Sequence, residues 1–237
     1  MIRPILLTDI AVIPPRGLNK ALYLDINNFA KETAFAHSFM HVYALWLGLA
    51  LLSAIFVALY IKYWFDKISE VTVGLFTCGA LTLVALLVNQ FVGKAVREKR
   101  PYNTFQHALV LVGKTSDYSF PSDHSVVAGA LLTSILIALY AGKKTLSSAT
   151  YTQTSGTRIK RSLITTLAVF LALFLCFARV YVGVHYPGDV IAGLLEGTAI
   201  AGLLSYLRYP LHAILSKKTL SFLKIFFAKP TGHTLAA

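Results

Sequence analysis

The sequence predicts an all-α, polytopic transmembrane helix bundle of about five spans, preceded by an N-terminal amphipathic helix lying at the interface. Three observations predict it. Of the 237 residues, 56% are hydrophobic and only 14% are charged, where a soluble domain carries about a quarter. Five stretches, roughly 42–61, 71–93, 125–141, 162–183 and 189–207, approach the ~20 apolar residues that cross a hydrocarbon core. Trp46, Tyr60, Tyr63, Trp64 and Tyr206 fall near span ends, as an interfacial aromatic belt does. No internal repeat or domain boundary interrupts the pattern, so residues 1–237 read as one integral membrane domain.

The chain begins MIRPILLTDIAVIPPRG. Pro4 and Pro14-Pro15 break its short apolar stretch, and no small-residue cleavage site follows, so this is not a cleaved signal peptide. Residues 18–40 mix Leu22, Ile26, Phe29, Phe35 and Phe39 with Lys20, Asp25, Lys31 and Glu32, the pattern of a helix lying on a membrane surface. Spans one and two follow, and KAVREKRPY (94–102) ends the second. SFPSDHS (119–125) opens span three, the shortest. A polar, Ser/Thr-rich, basic loop at 143–161 leads to span four, and ARVYVGVHYPGD (178–189) joins it to span five. Cys78 and Cys176 fall inside apolar runs and read as small buried residues. Gly193 and Gly197 form a GxxxG pair suited to close helix packing. Glu196, seven residues after Asp189 on the same helical face, reads as a structurally paired acid. His37, His41, His107 and His212 carry no partner spacing and read as interfacial.

A net charge of +12 raises nucleic acid as a partner, but no basic aromatic motif supports it; Lys and Arg flanking spans explain the charge better. Twelve cations fall on the face holding the 62–70 loop, the 142–161 loop and the tail from 208. Ten fall on the other, of which Lys94, Arg97, Lys99, Arg100 and Arg179 lie inside the motif blocks, leaving five. The first face is therefore expected to be cytoplasmic, with the N-terminus and all three blocks outside.

The parity of the spans brings the three blocks to one membrane face. The first supplies Lys94, Arg97, Lys99 and Arg100, with Pro101 ending any helix; a guanidinium matches the paired oxygens of a phosphate. In the second, Ser122 or Asp123 can cap the following helix, whose N-terminus favours an anion, and His124 can donate a proton. In the third, Arg179 precedes His185, and Asp189 follows four residues on. A carboxylate so spaced can hold the imidazole in one tautomer, leaving its other nitrogen as nucleophile or base. Cations, two histidines and a carboxylate suit phosphoryl transfer at a lipid–water interface. A stop-transfer cluster, an ordinary helix cap and a His–Asp turn would each explain one block alone, but not their alignment.

Together the blocks resemble the type 2 phosphatidic acid phosphatase superfamily, which has the motifs KxxxxxxRP, PSGH and SRxxxxxHxxxD. The likeness spans roughly 90–190. There are three departures: Lys94 stands five residues before Arg100, so Gly93 occupies the lysine register; Asp123 replaces Gly; Ala178 replaces Ser. The SFPSDHS form, the LVNQFVG run and the INNFAKETAF start are similar to the undecaprenyl-diphosphate phosphatase branch. The resemblance implies hydrolysis without metal or cofactor, through a phosphohistidine. It makes His185 the nucleophile, Asp189 its orienting carboxylate and His124 the acid for the leaving oxygen. Lys94, Arg100, Ser122 and Arg179 would hold phosphate, with Arg97 able to stand in for Lys94 and Asp123 beside them. Undecaprenyl diphosphate is the expected substrate. Phosphatidylglycerophosphate, phosphatidate or lipid A phosphate is the alternative within the class, and a non-catalytic transporter or scaffold the alternative outside it. A haloperoxidase fits less well, its members being soluble. Oligomeric state is not legible.

Overall fold

The computed structural model describes residues 17–65, 69–146 and 155–206. Helices run over Gly17–Glu32 (α1), His37–Val42 (α2), Gly48–Phe65 (α3), Ser69–Val96 (α4), Pro101–Thr104 (α5), Asp123–Leu146 (α6), Ser155–Tyr181 (α7) and Pro187–Ser205 (α8). A 3₁₀ turn, Ala34–Ala36, precedes α2, and a π turn, Tyr43–Leu47, joins α2 to α3. Among the described residues no strand occurs.

Three of the described helical runs are long and apolar enough to cross a membrane: Ala34–Phe65, Asp123–Tyr140 and Arg158–Tyr181. α4 and α8 cover the second and fifth expected spans. Two boundaries differ from expectation. Span one starts at Ala34 rather than 42, because the 3₁₀ and π turns carry the helix through the stretch read as interfacial. The polar loop contracts, since α6 runs to Leu146 and α7 begins at Ser155, placing Arg158, Lys160 and Arg161 on a helix. The readings of the N-terminal stretch to residue 16, of the Cys78 side chain, and of the tail cations from 208 with His212 lie outside the described residues.

α6 is the central element, packed most extensively on α8 and also against α3, α4 and α7. In lipid, helices gain little from apolar burial against one another and associate by close packing, which small residues permit. Ala128, Ala130, Ala138, Ala168 and Ala172 are accordingly buried, while Leu87, Phe170 and Leu195 point outward. The GxxxG reading holds: a Cβ at Gly197 would run into the Val126 carbonyl, and one at Gly193 would meet the Ser122 carbonyl oxygen at 2.7 Å. α8 thus lies directly against the first turns of α6.

α1 caps the motif-bearing end of the bundle. Its exposed side carries Leu18, Leu22 and Phe29, as an interfacial helix should, but its other side is docked on protein. Tyr23 is fully buried, stacked on Phe105 and edge-on to Tyr186. Asn27 bonds the Leu109 backbone in both directions, Nδ2–H to its carbonyl (2.8 Å) and Oδ1 from its N–H (2.9 Å). Asn19 Oδ1 accepts from the Gly188 N–H (2.8 Å).

Candidate active site

The site forms where three chain turns meet at the α1 end of the bundle. After α4, Arg97 adopts φ 55° and swings the chain around. Glu98 accepts the Ser119 N–H on its carbonyl (2.9 Å). Pro101 then starts α5, with Arg100 extended just before it. The third block turns at Gly183, φ 83°, a conformation that favours glycine; a Cβ there would also collide with the Leu109 carbonyl. Pro187 opens α8 at its first position, where a missing N–H goes unnoticed.

His185 lies at the centre, only 2% exposed. Its Nδ1 is 2.8 Å from the Ser119 carbonyl oxygen. A carbonyl only accepts, so Nδ1 carries the proton and Nε2 keeps the lone pair. Nε2 faces Arg100 Nη1 at 3.3 Å and Arg179 Nη2 at 3.4 Å. Burial pushes the imidazole pKa down to about 4; the Asp189 hydrogen bond opposes this, while the charges of Arg179 and Arg100 add to it. His185 is therefore neutral at physiological pH, with its free nitrogen aimed between two guanidiniums.

Asp189, fully buried, anchors the arrangement from behind. Its Oδ2 accepts from Ser119 Oγ–H and from the Tyr186 N–H (2.8 Å), and stands 3.5 Å from His185 Nδ1. Its hold on the imidazole is therefore shared with Ser119, whose carbonyl is the nearer acceptor. Asp189 Oδ1 is buried with no donor recorded on it, and the Glu98 carboxyl, itself only 8% exposed, lies within hydrogen-bonding reach of Asp189.

Two buried guanidiniums side by side call for an anion. Arg100 has one partner, Asp117, held through Nε (3.2 Å) and Nη2 (2.9 Å), and it also donates to the Val184 carbonyl (3.1 Å). Asp117 is partly buried, which raises its pKa, but hydrogen bonds from Thr115 and Arg100 outweigh this and lower it. Arg179 donates to the Ala44 carbonyl at 3.3 Å, besides facing His185, and forms no ion pair among the described residues. Arg179 Nε and Ser122 Oγ are both buried without an acceptor or donor. Two guanidiniums converging on one point can receive a tetrahedral oxyanion, and the Nε2 lone pair between them can meet its central atom.

His124 opens α6, half-buried, with Nε2 3.4 Å from the Leu45 carbonyl oxygen and the charges of Arg179 and Arg100, and the His185 ring, within electrostatic range. Of the other expected phosphate ligands, Asp123 stands in the first turn of α6 and Lys94 in the last turn of α4. Asp123 turns toward α4, where its Oδ1 accepts from Asn89 and from Gln90 Nε2 (3.1 Å). Among the described residues it forms no ion pair, and two amides satisfy its Oδ1. Lys94 is exposed in the last turn of α4, and Arg97 Nε is tied back to the Lys94 carbonyl (3.0 Å). The turn at Arg97 comes between Lys94 and Arg100 in the chain. Beside His124 and Asp123 opens a cavity of about 490 Å³ walled by Leu49, Leu83, Leu86, Leu87, Gln90 and Val127, an apolar space reaching the polar site from the helix faces.

Ser119, Asp117 and Glu98 were not singled out by the sequence. Each sits within or just beside a motif block, and residue type alone carries no sign that Ser119 would present both its carbonyl and its hydroxyl.

Residues 73–213, more than half of the chain, match the model of the PAP2 superfamily, and the chain belongs to that family. Among its relatives is the undecaprenyl-diphosphatase of Sulfolobus acidocaldarius, 29% identical over 121 residues, which are 51% of this chain. The matched part spans about half (48%) of that relative's length. The bacitracin transport permease protein BcrC of Bacillus licheniformis is 25% identical over 184 residues, 78% of this chain and 77% of its own. The crystal structure of Aquifex aeolicus LpxE superposes with a TM-score of 0.56 at 22% identity, covering 83% of this chain and 99% of that one. This last likeness shows a shared fold.

Proposed function

We propose that this membrane protein hydrolyses the terminal phosphate of undecaprenyl diphosphate at the extracytoplasmic face, through a phosphohistidine at His185 and without a metal. The observation that carries the reading is the His185 Nε2 lone pair set between Arg100 and Arg179; the buried Ser122 hydroxyl, which has no partner among the described residues, supports it. Nε2 attacks the terminal phosphorus, a P–N bond forms, and the P–O bond to the lipid monophosphate breaks. His124 delivers a proton to that leaving oxygen. The Nδ1–H stays on the ring, and its positive charge is offset by Asp189 and the Ser119 carbonyl. His124 then takes a proton from water as its oxygen attacks phosphorus, releasing phosphate and restoring His185. The guanidiniums do the charge neutralisation that metal ions perform in many phosphoryl-transfer sites.

The undecaprenyl substrate is supported by the name of the archaeal relative and by the apolar cavity, which offers a tail an approach between α3, α4 and α6 beside His124. A transporter, as the name of the Bacillus relative suggests, has no use for a depressed, oriented imidazole. Phosphate release from purified lipid phosphates in excess EDTA tests the reading. Undecaprenyl diphosphate should turn over fastest, with inhibition by vanadate. A preference for phosphatidylglycerophosphate, phosphatidate or lipid A phosphate would replace the substrate, and activity restored only by Mg²⁺ would remove the metal-free mechanism.

A further inference from the structure

Behind the nucleophile sits a second carboxyl group that the proposed reaction does not use. Glu98, two residues before Arg100, is almost wholly buried, and its backbone carbonyl is fixed by the Ser119 N–H. Its side chain lies within hydrogen-bonding reach of Asp189. The described donors to Asp189, Ser119 Oγ–H and the Tyr186 N–H, converge on Oδ2, and none is recorded on Oδ1. Two ionised carboxylates cannot share such a space, and a buried acceptor without a donor costs about 1–3 kcal/mol. One proton between them resolves both problems.

We propose that Glu98 is a positioning residue: as a neutral carboxylic acid it donates a hydrogen bond to Asp189 and so fixes the carboxylate that supports His185. The proton stays on Glu98, and no bond to substrate forms. Held by Glu98 on one side, Asp189 keeps Oδ2 turned toward Ser119, Tyr186 N–H and the His185 ring. It remains an anion when His185 gains a positive charge on phosphorylation. Among the described residues, the groups seen to act on Glu98 or its backbone are Asp189, Tyr186 and the Ser119 N–H, and none of these is a cation that would favour its ionised form. Burial, the Asp189 charge and the hydrogen bond with Asp189 push the Glu98 pKa up to about 8, in keeping with a proton held at neutrality.

This inference rests on the phosphatase reading for its kinetic consequence but not for the proton itself, and the experiment separates the two. Infrared difference spectra of the resting, full-length protein at neutral pH should show a protonated-carboxyl C=O band that is missing in Glu98→Gln. In the kinetic arm, Glu98→Gln retains a donor and should keep kcat within a few-fold. Glu98→Met matches its volume without a donor and should lower kcat about 10–100-fold, the worth of one hydrogen bond to a charged group, with KM little changed. An unchanged band in Glu98→Gln would overturn the proposal even if Glu98→Met failed to fold. So would a Glu98→Gln variant as slow as Glu98→Met, or a Glu98→Met variant as fast as the parent. A protein that shows the band yet hydrolyses no lipid phosphate would sink the phosphatase reading and leave the proton assignment standing.

Discussion

At the scale of single residues, the neutral state of His185 governs what the site can do. With its pKa near 4, the imidazole keeps its lone pair over the whole physiological range. The acidic limb of kcat/KM that reports this group should therefore lie well below pH 6.5. Replacing Arg179 with Gln removes one repelling charge, so the His185 pKa rises and that limb moves to higher pH; a limb that stays put would refute the electrostatic coupling. The same shift has a sign for stability. Between about pH 4 and 6.5 the folded protein binds fewer protons at His185 than the unfolded chain does, so stability falls as pH drops through that window. His124→Ala should slow turnover by about 10²–10⁴-fold, the usual worth of general acid catalysis, with partial recovery on an activated aryl phosphate. Equal loss on both substrates would deny His124 the acid's role.

At the scale of elements, the contact between α6 and α8 sets the position of Ser122 against His185 and Asp189. Gly193→Leu would press on the Ser122 carbonyl and Ser125. It should destabilise by about 1–3 kcal/mol, as overpacking does, and lower activity at temperatures where the protein remains folded. Unchanged melting and activity would show that this approach is not needed. The cavity beside His124 gives a second test: Val127→Trp should fill it and raise KM about tenfold for a polyprenyl substrate, a change worth ~1.4 kcal/mol, while a short-chain phosphate is unaffected. Much of this was legible beforehand. The order of the blocks, the GxxxG contact and the histidine pair follow from spacing, because helical periodicity and span parity fix which residues share a face. Lys94, Arg97 and Asp123 were grouped with the phosphate ligands because the motifs of the family resemblance implied it. The positive φ at Arg97 and the two α4 amides that hold Asp123 are tertiary facts that motif spacing does not carry. Ser119 was hidden for a similar reason, since its role uses a backbone carbonyl.

At the scale of the whole molecule, all three blocks, α1 and α5 gather at one end of the bundle, and the basic start of α7 lies at the other end of that helix. The orientation proposed from the positive-inside rule would put the second end in the cytoplasm. Cysteine at exposed Asn103 should react with an impermeant thiol reagent on intact cells, and cysteine at exposed Lys160 should not. The reverse pattern would move hydrolysis to the cytoplasmic side. α1 closes the outer end through Asn27 and Asn19. Asn27→Leu leaves the Leu109 carbonyl and N–H without their partner, and should cost about 1–3 kcal/mol of stability.

The central claim is that His185 takes the phosphoryl group, and trapping the intermediate tests it most directly. Lipid diphosphate labelled with ³²P in its terminal phosphate, mixed with the protein and quenched in alkali within a turnover, should leave acid-labile label on His185. That label should vanish in His185→Ala and decay more slowly in His124→Ala. Label found on His124 instead, or rapid turnover in His185→Ala, would contradict the account.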